Sequence, residues 1–330
     1  MNTLSDIVRN SRRPLAMPVA TFPGASLTGF TVRDLVHDAA RQASTQIAFH
    51  RRFGTCVLMS CMDLSVEAEA FGAAVTFSDT EVPTVTGRLV TDEPGASSLR
   101  IPPVGSARTR VYIDAVRNLA GMGTGVPVLA GMIGPFSLAG RLFGVSETLL
   151  ATASEPDLIE GLLGNVTTFL LGYARAFKSA GASGVIIAEP SAGLLSPRGM
   201  AAYSSPYVKK IIEGVEGEGF EVILHNCAAK TIHLDAVRAS GAHIVHFGAP
   251  MDIPEALAKL SPGTIVCGNL DPAGVFVHST PDRVAELTGE LIAATKGYNN
   301  FVISSGCDIP AATSFENLDA FFREAALAAH

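Results

Sequence analysis

Five runs decide the fold: GVIIAEP (184–190), EVILHNC (221–227), HIVHFG (243–248), GTIVCGN (263–269) and FVISSGC (301–307). Each is short, apolar and rich in β-branched residues, with no polar–apolar alternation. That pattern suits strands buried on both faces, as in a parallel sheet covered by crossover helices. Working outward, LAMPVA (15–20), CVLMS (56–60) and PVLAGMIG (127–134) bring the series to eight. Between the runs lie segments 32–52, 147–180, 205–218, 253–260, 281–296 and 315–328, where apolar residues recur every three or four positions and Gly or Pro stands near the ends. Eight strand–helix units in 330 residues predict an α/β fold of the (β/α)8 TIM-barrel type, a single domain over residues 1–330, rather than an open doubly wound sheet. Residues 75–110, with TDEPGASS and IPPVGS, read as a turn-rich insertion between the second and third units.

Composition narrows the function classes. Hydrophobic residues make up 48% and charged residues 17%, which excludes a disordered chain. The 24 Lys and Arg against 31 Asp and Glu give a net charge of -7, the wrong sign for gripping phosphates, so no nucleic acid partner is expected. The N-terminal residues lack the apolar core of a signal peptide, and no run reaches the roughly 18 apolar residues of a spanning helix. A cytoplasmic protein without a membrane partner is the expectation. Five cysteines, Cys56, Cys61, Cys227, Cys267 and Cys307, form an odd set in a chain long enough to need no staples, which points to free thiols or metal ligands.

In a barrel, chemistry sits at the C-terminal rim of the strands. The polar residues that end the runs are Glu189, His225 with Cys227, His246, Asn269 with Asp271, and Cys307 with Asp308. His225 and Cys227, two apart on a strand, face the same side. With Cys307 they make three N/S donors, the number that leaves catalytic zinc an open position. Spacing alone leaves the alternative open that these are a core histidine and packing thiols.

The segments ILHNCAAKT (223–231), VCGNLDP (266–272) and SSGCDIPAATSFENLDAF (304–321) resemble, in that order, the C-terminal half of the uroporphyrinogen decarboxylase superfamily. GMIGPFSLAG (131–140), VIIAEPSAGLLSP (185–197) and MDLSVEAEAFGA (62–73) extend the resemblance over nearly the whole chain, within the branch of methylcobamide:coenzyme M methyltransferases, which carry zinc on an H-x-C…C motif. The decarboxylases have an Arg-rich N-terminal segment where this chain reads MPVATFPGASLTG (17–29), without a cation. The resemblance implies zinc on His225, Cys227 and Cys307, and a corrinoid methyltransferase in which a zinc-held thiol such as coenzyme M attacks the methyl group of a methyl-Co(III) cobamide, giving a thioether and Co(I). It also implies a separate corrinoid carrier protein, since no D-x-H-x-x-G motif is present and DAVRASG (235–241) lacks the histidine.

In one place the chain departs from that branch, whose members have an acidic residue near the end of the sixth strand where this chain has Gly248. His246, two residues earlier, is the candidate substitute ligand or an ordinary core histidine. Glu189, Asn269 and Asp271 are candidates to orient substrate or the second nitrogen of a ligating histidine, and Asp271 before Pro272 equally suits bracing a turn. Glu67 and Glu69 match a V-E-A-E-A stretch of the family without an assigned role. Cys56, Cys61 and Cys267 read as buried structural thiols, and Arg198 as the cation nearest a strand end. The same site suits an O-demethylase type of first-step transfer, from a methoxylated aromatic to a Co(I) corrinoid. Uroporphyrinogen decarboxylation and a non-catalytic tetrapyrrole-binding barrel are the remaining classes.

Overall fold

The computed structural model describes residues 2–11 and 13–327; Met1, Arg12 and residues 328–330, within the expected 1–330 domain and the segment 315–328, lie outside the described residues. All eight runs form strands: β1 Leu15–Ala16, β2 Leu58–Met59, β3 Val128–Ile133, β4 Gly184–Ala188, β5 Glu221–Asn226, β6 Ile244–Phe247, β7 Ile265–Leu270 and β8 Phe301–Ser305. They pair in parallel in the order β1-β8-β7-β6-β5-β4-β3-β2, so the two ends of the curled sheet are consecutive in the chain, the order of a (β/α)8 barrel. At that seam the Cys56 thiol donates to the Ala16 carbonyl at 3.3 Å, and Met62 N donates to the Thr21 hydroxyl at 3.0 Å.

Buried strands put alternate residues inside and outside. Met59, Leu129, Ile186, Ile223, Ile244, Ile265 and Val302 pack in the barrel interior, whereas Val185, Val222, Leu224, Val245, Val266 and Ile303 pack under the helices. Helix Leu4–Asn10 inserts Leu4 and Val8 into the interior cluster, and Ser5 N donates to the Glu221 carboxylate at 3.1 Å. The N-terminal end of the barrel is thus plugged with apolar groups, and the polar strand ends are left at the other mouth.

Local chemistry divides two of the expected helical segments. In 32–52, Asp38 accepts from Ala40 N and Arg41 N, ending helix Val32–His37 and capping helix Ala39–Phe53. In 147–180, Pro156 removes an N–H and starts the helix Pro156–Ser179 after the helix Val145–Ser154. The insertion is more ordered than its turn residues suggest: Ala74–Thr76 and Thr84–Thr86 form an antiparallel hairpin, followed by helix Glu93–Ser98. No helix is long and apolar enough to cross a membrane among the described residues, and all five cysteines are free.

Candidate metal centre

Along β5 the inward positions run Ile223, His225 and, one residue past the strand end, Cys227, so an apolar layer gives way to an imidazole and then a thiol. Cys307 follows the end of β8. One donor atom from each of His225, Cys227 and Cys307 lies within 4.8 Å of the others. Two sulfurs bound to one tetrahedral zinc at about 2.3 Å stand about 3.8 Å apart, so the three donors fit a single ion. Imidazole with two thiols is also the donor chemistry zinc prefers. The Cys307 thiol and the Cys227 sulfur share a proton: the hydrogen bond from Cys307 pulls Cys227 below the ordinary thiol range, while the same bond and burial push Cys307 up to about 12. A metal ion held here would take the place of that proton.

Behind His225 the structure places His246, as its Cα partner across the β5–β6 pair. Nδ1 of His225 is 2.8 Å from Nδ1 of His246 and 3.3 Å from the His246 carbonyl oxygen. Nε2 of His246 is 2.8 Å from the Ser304 hydroxyl, which donates to the Met17 carbonyl at 2.6 Å. Both ring nitrogens of His246 are therefore engaged inside the barrel, and this fully buried ring does not stand in for the missing acidic ligand. Gly248 does not leave room for one either, since a Cβ there would run into the backbone of Cys227.

The other candidates are held by partners within the chain. Glu189 is fully buried and spent on helix Pro135–Phe143: its carboxylate accepts from Phe136 N (2.8 Å), Ser137 N (2.9 Å) and the Ser137 hydroxyl (2.7 Å). A carboxylate at a helix N-terminus satisfies its free N–H groups, and Gly134 gives it space. Burial still pushes Glu189 up to about 7. Asn269 donates its amide to the carbonyls of Gly248 (3.0 Å) and Met251 (2.6 Å), bracing the loop after β6. Asp271 Oδ1 accepts from Ala273 N and Gly274 N at 2.9 and 2.6 Å and braces the turn. Arg198 is exposed on helix Pro197–Tyr203.

Three arrangements at the mouth go beyond the residue types at strand ends, although Asp308 itself stands among those. A small apolar chamber of about 30 Å³ opens on His225, Cys227 and Cys307, walled by Val19, Met62, Leu64, Ile186, Ala188 and Pro190. Asp308 borders both this chamber and a rim cleft of about 540 Å³ that also includes Phe30, Asp79, Glu81 and Val82. Thr21 N and the Thr21 hydroxyl donate to Asp308 at 3.0 and 2.8 Å, and burial pushes its carboxyl up to about 8. Beside the mouth, buried Arg108 bridges Asp63 and Glu69, with Tyr112 donating to Asp63 at 3.1 Å. This locks the segment that supplies Met62 and Leu64, and it gives Glu69 a structural partner.

The fold is a (β/α)8 barrel with an imidazole and two thiols, a donor group that could hold a metal ion, gathered at its C-terminal mouth. The profile of the Uroporphyrinogen decarboxylase (URO-D) family matches residues 12–326, and the chain belongs to that family. It is 27% identical over 285 residues to a methylcobamide:CoM methyltransferase of Methanosarcina acetivorans, covering 85% of this chain and 82% of that protein. It is 28% identical over 279 residues to the uroporphyrinogen decarboxylase of Nitrosomonas europaea, covering 81% and 77%. A solved methyltransferase from Methanosarcina mazei has the same fold, with a TM-score of 0.88 at 20% identity over 99% of both chains.

Proposed function

We propose that this protein is a zinc-dependent methyltransferase that moves a methyl group between a corrinoid held by a separate carrier protein and a small thiol such as coenzyme M, in the cytoplasm. The observation that carries this is the meeting of His225, Cys227 and Cys307 within 4.8 Å at the floor of an apolar chamber. The methyltransferase relative from Methanosarcina acetivorans supports it. When bound, zinc would hold an acceptor thiol as its thiolate at neutral pH, where a free thiol is mostly protonated.

The chain's own residues do the rest. His225, Cys227 and Cys307 bind the ion, two thiolates and a neutral imidazole leaving it nearly neutral, so a third sulfur stays nucleophilic. Val19, Met62, Leu64 and Ile186 exclude water from the sulfur and fix its approach. The thiolate attacks the methyl carbon, a C–S bond forms, the Co–C bond breaks with both electrons left on Co(I), and the thiol proton has gone to solvent.

A second reading, transfer from a methoxylated aromatic or similar neutral donor to a Co(I) corrinoid, is favoured by one observation. Among the described residues lining the chamber and the rim cleft there are Asp79, Glu81 and Asp308 but no lysine or arginine. Such walls receive a neutral molecule more readily than a sulfonate. Zinc-loaded protein is to be mixed with methylcobalamin and either coenzyme M or an uncharged thiol of similar length, and in separate runs with cob(I)alamin and methoxyarenes, following the corrinoid spectrum. Thiol-dependent loss of methylcobalamin supports the first reading. Methylation of cob(I)alamin alone supports the second, and no turnover in either direction overturns both.

A further inference from the structure

We infer that His246 is a positioning residue that holds His225 in its Nδ1–H tautomer and so presents a bare Nε2 to the metal. This rests on the zinc reading above, but the hydrogen bonds that carry it belong to the chain alone.

The direction of each bond follows from the far end of the series. The Met17 carbonyl has no proton, so the Ser304 hydroxyl donates to it across 2.6 Å. With its proton spent, Ser304 Oγ offers His246 Nε2 a lone pair at 2.8 Å, and the proton between them is on Nε2. His246 is fully buried with both ring nitrogens engaged, and an imidazole that carries its proton on Nε2 offers Nδ1 as an acceptor. Facing that acceptor at 2.8 Å, His225 Nδ1 must carry the proton. The His246 carbonyl, 3.3 Å from the same nitrogen, is a second group that only accepts. Four groups thus agree on one arrangement.

Strand register builds the series. His225 and His246 are paired residues on β5 and β6, Ser304 lies on β8 with Asn269 as its partner on β7, and Met17 follows β1, whose Ala16 pairs with Ile303. A metal-bound histidine almost always gives its second nitrogen to a carboxylate, a backbone carbonyl or water. Here the partners are the His246 ring and carbonyl, which hold the tautomer without adding a carboxylate's negative charge beside two sulfurs that would be thiolates once a metal is bound.

The test uses the full chain, ¹⁵N-labelled at histidine and free of metal, with long-range ¹H–¹⁵N spectra to read tautomers, together with zinc affinity by chelator competition. The expected wild-type spectrum has His225 as Nδ1–H and His246 as Nε2–H. His246→Leu is expected to weaken zinc binding about 10- to 100-fold. His246→Asn, whose Oδ1 replaces the lost acceptor, is expected to restore affinity to within a few-fold; a purely space-filling role would not separate the two variants. Ser304→Ala is expected to let His246 change tautomer and to broaden or invert the His225 signal. A wild-type His225 in the Nε2–H form, or equal zinc affinity for the Leu variant, overturns the inference. If the Leu variant does not fold, the wild-type and Ser304→Ala spectra decide. Failure of wild-type protein to bind zinc would overturn the proposed function and leave the tautomer result standing on its own.

Discussion

Gly248 lies directly against the peptide of Cys227, so close that a Cβ at that position would overlap the Cys227 carbonyl, Cα and carbonyl carbon. The end of β6 is therefore built without a side chain, and among the described residues the donors that meet within 4.8 Å are His225, Cys227 and Cys307. Gly248→Asp is expected to force the Cys227 backbone aside rather than add a ligand. The expected outcome is a loss of about 1–3 kcal/mol in stability, the usual cost of overpacking, together with weaker zinc retention. Denaturant unfolding and chelator competition measure both, and tighter zinc binding by the Asp variant would show that the position accepts a ligand after all.

Removal of either thiol tests the donor set. Cys227→Ser and Cys307→Ala are each expected to lose zinc on dialysis and to reduce methyl transfer from free methylcobalamin by about 100-fold or more, a larger loss than that from changing a ligand's supporting partner. Both positions are partly exposed, so the melting temperature of the metal-free variants should stay close to that of the metal-free parent. Unchanged turnover by Cys307→Ala would remove it from the site.

Glu189 behaves as a helix cap. Glu189→Ala leaves Phe136 N, Ser137 N and the Ser137 hydroxyl without their acceptor, and the expected cost is about 3 kcal/mol, from three hydrogen bonds lost in a buried place. Steady-state constants of the folded fraction should change less than about threefold. A large rise in KM at full stability would return Glu189 to the substrate.

The buried Glu67 carboxyl predicts a pH dependence. Its Oε1 accepts from Ile133 N at 3.1 Å, Oε2 has no partner, and burial pushes the group up to about 8 from a usual 4.5. Between those values the folded chain keeps a proton that the unfolded chain has lost, so this group's contribution to stability is present below about pH 4.5 and is lost as pH rises toward 8. Glu67→Gln, which cannot ionise, is expected to reduce the fall in unfolding free energy between pH 5 and 8 by on the order of 2 kcal/mol. Equal slopes for the two proteins would mean that Glu67 ionises normally in the folded state.

The barrel strands are legible because burial on both faces forces continuous apolar runs, and the turn from Ile223 to His225 and Cys227 within one run marks the mouth. Helix Pro135–Phe143 is hidden for a related reason: it starts directly after the apolar run of β3 and every residue but Arg141 is buried, so the two read as one apolar stretch. Helix Thr109–Gly121 does carry the period, in Tyr112, Ile113, Val116 and Leu119, but it follows a Pro- and Gly-rich stretch that reads as loop. At the site, residue types at strand ends give candidates and not partners. Glu189, Asn269 and Asp271 look alike in a list of polar strand ends, and only their partners, helix N–H groups, loop carbonyls and turn N–H groups respectively, separate them. The His246–Ser304 contact joins residues 58 apart across the barrel and depends on register, to which a single sequence has no access.

The most direct test of zinc on His225, Cys227 and Cys307 is metal content and zinc K-edge X-ray absorption of the purified wild-type protein expressed with zinc supplied. The expected result is one equivalent of zinc with two sulfurs at about 2.3 Å and imidazole nitrogen at about 2.0–2.1 Å. Less than about half an equivalent of tightly held zinc, or a first shell without sulfur, would contradict the assignment.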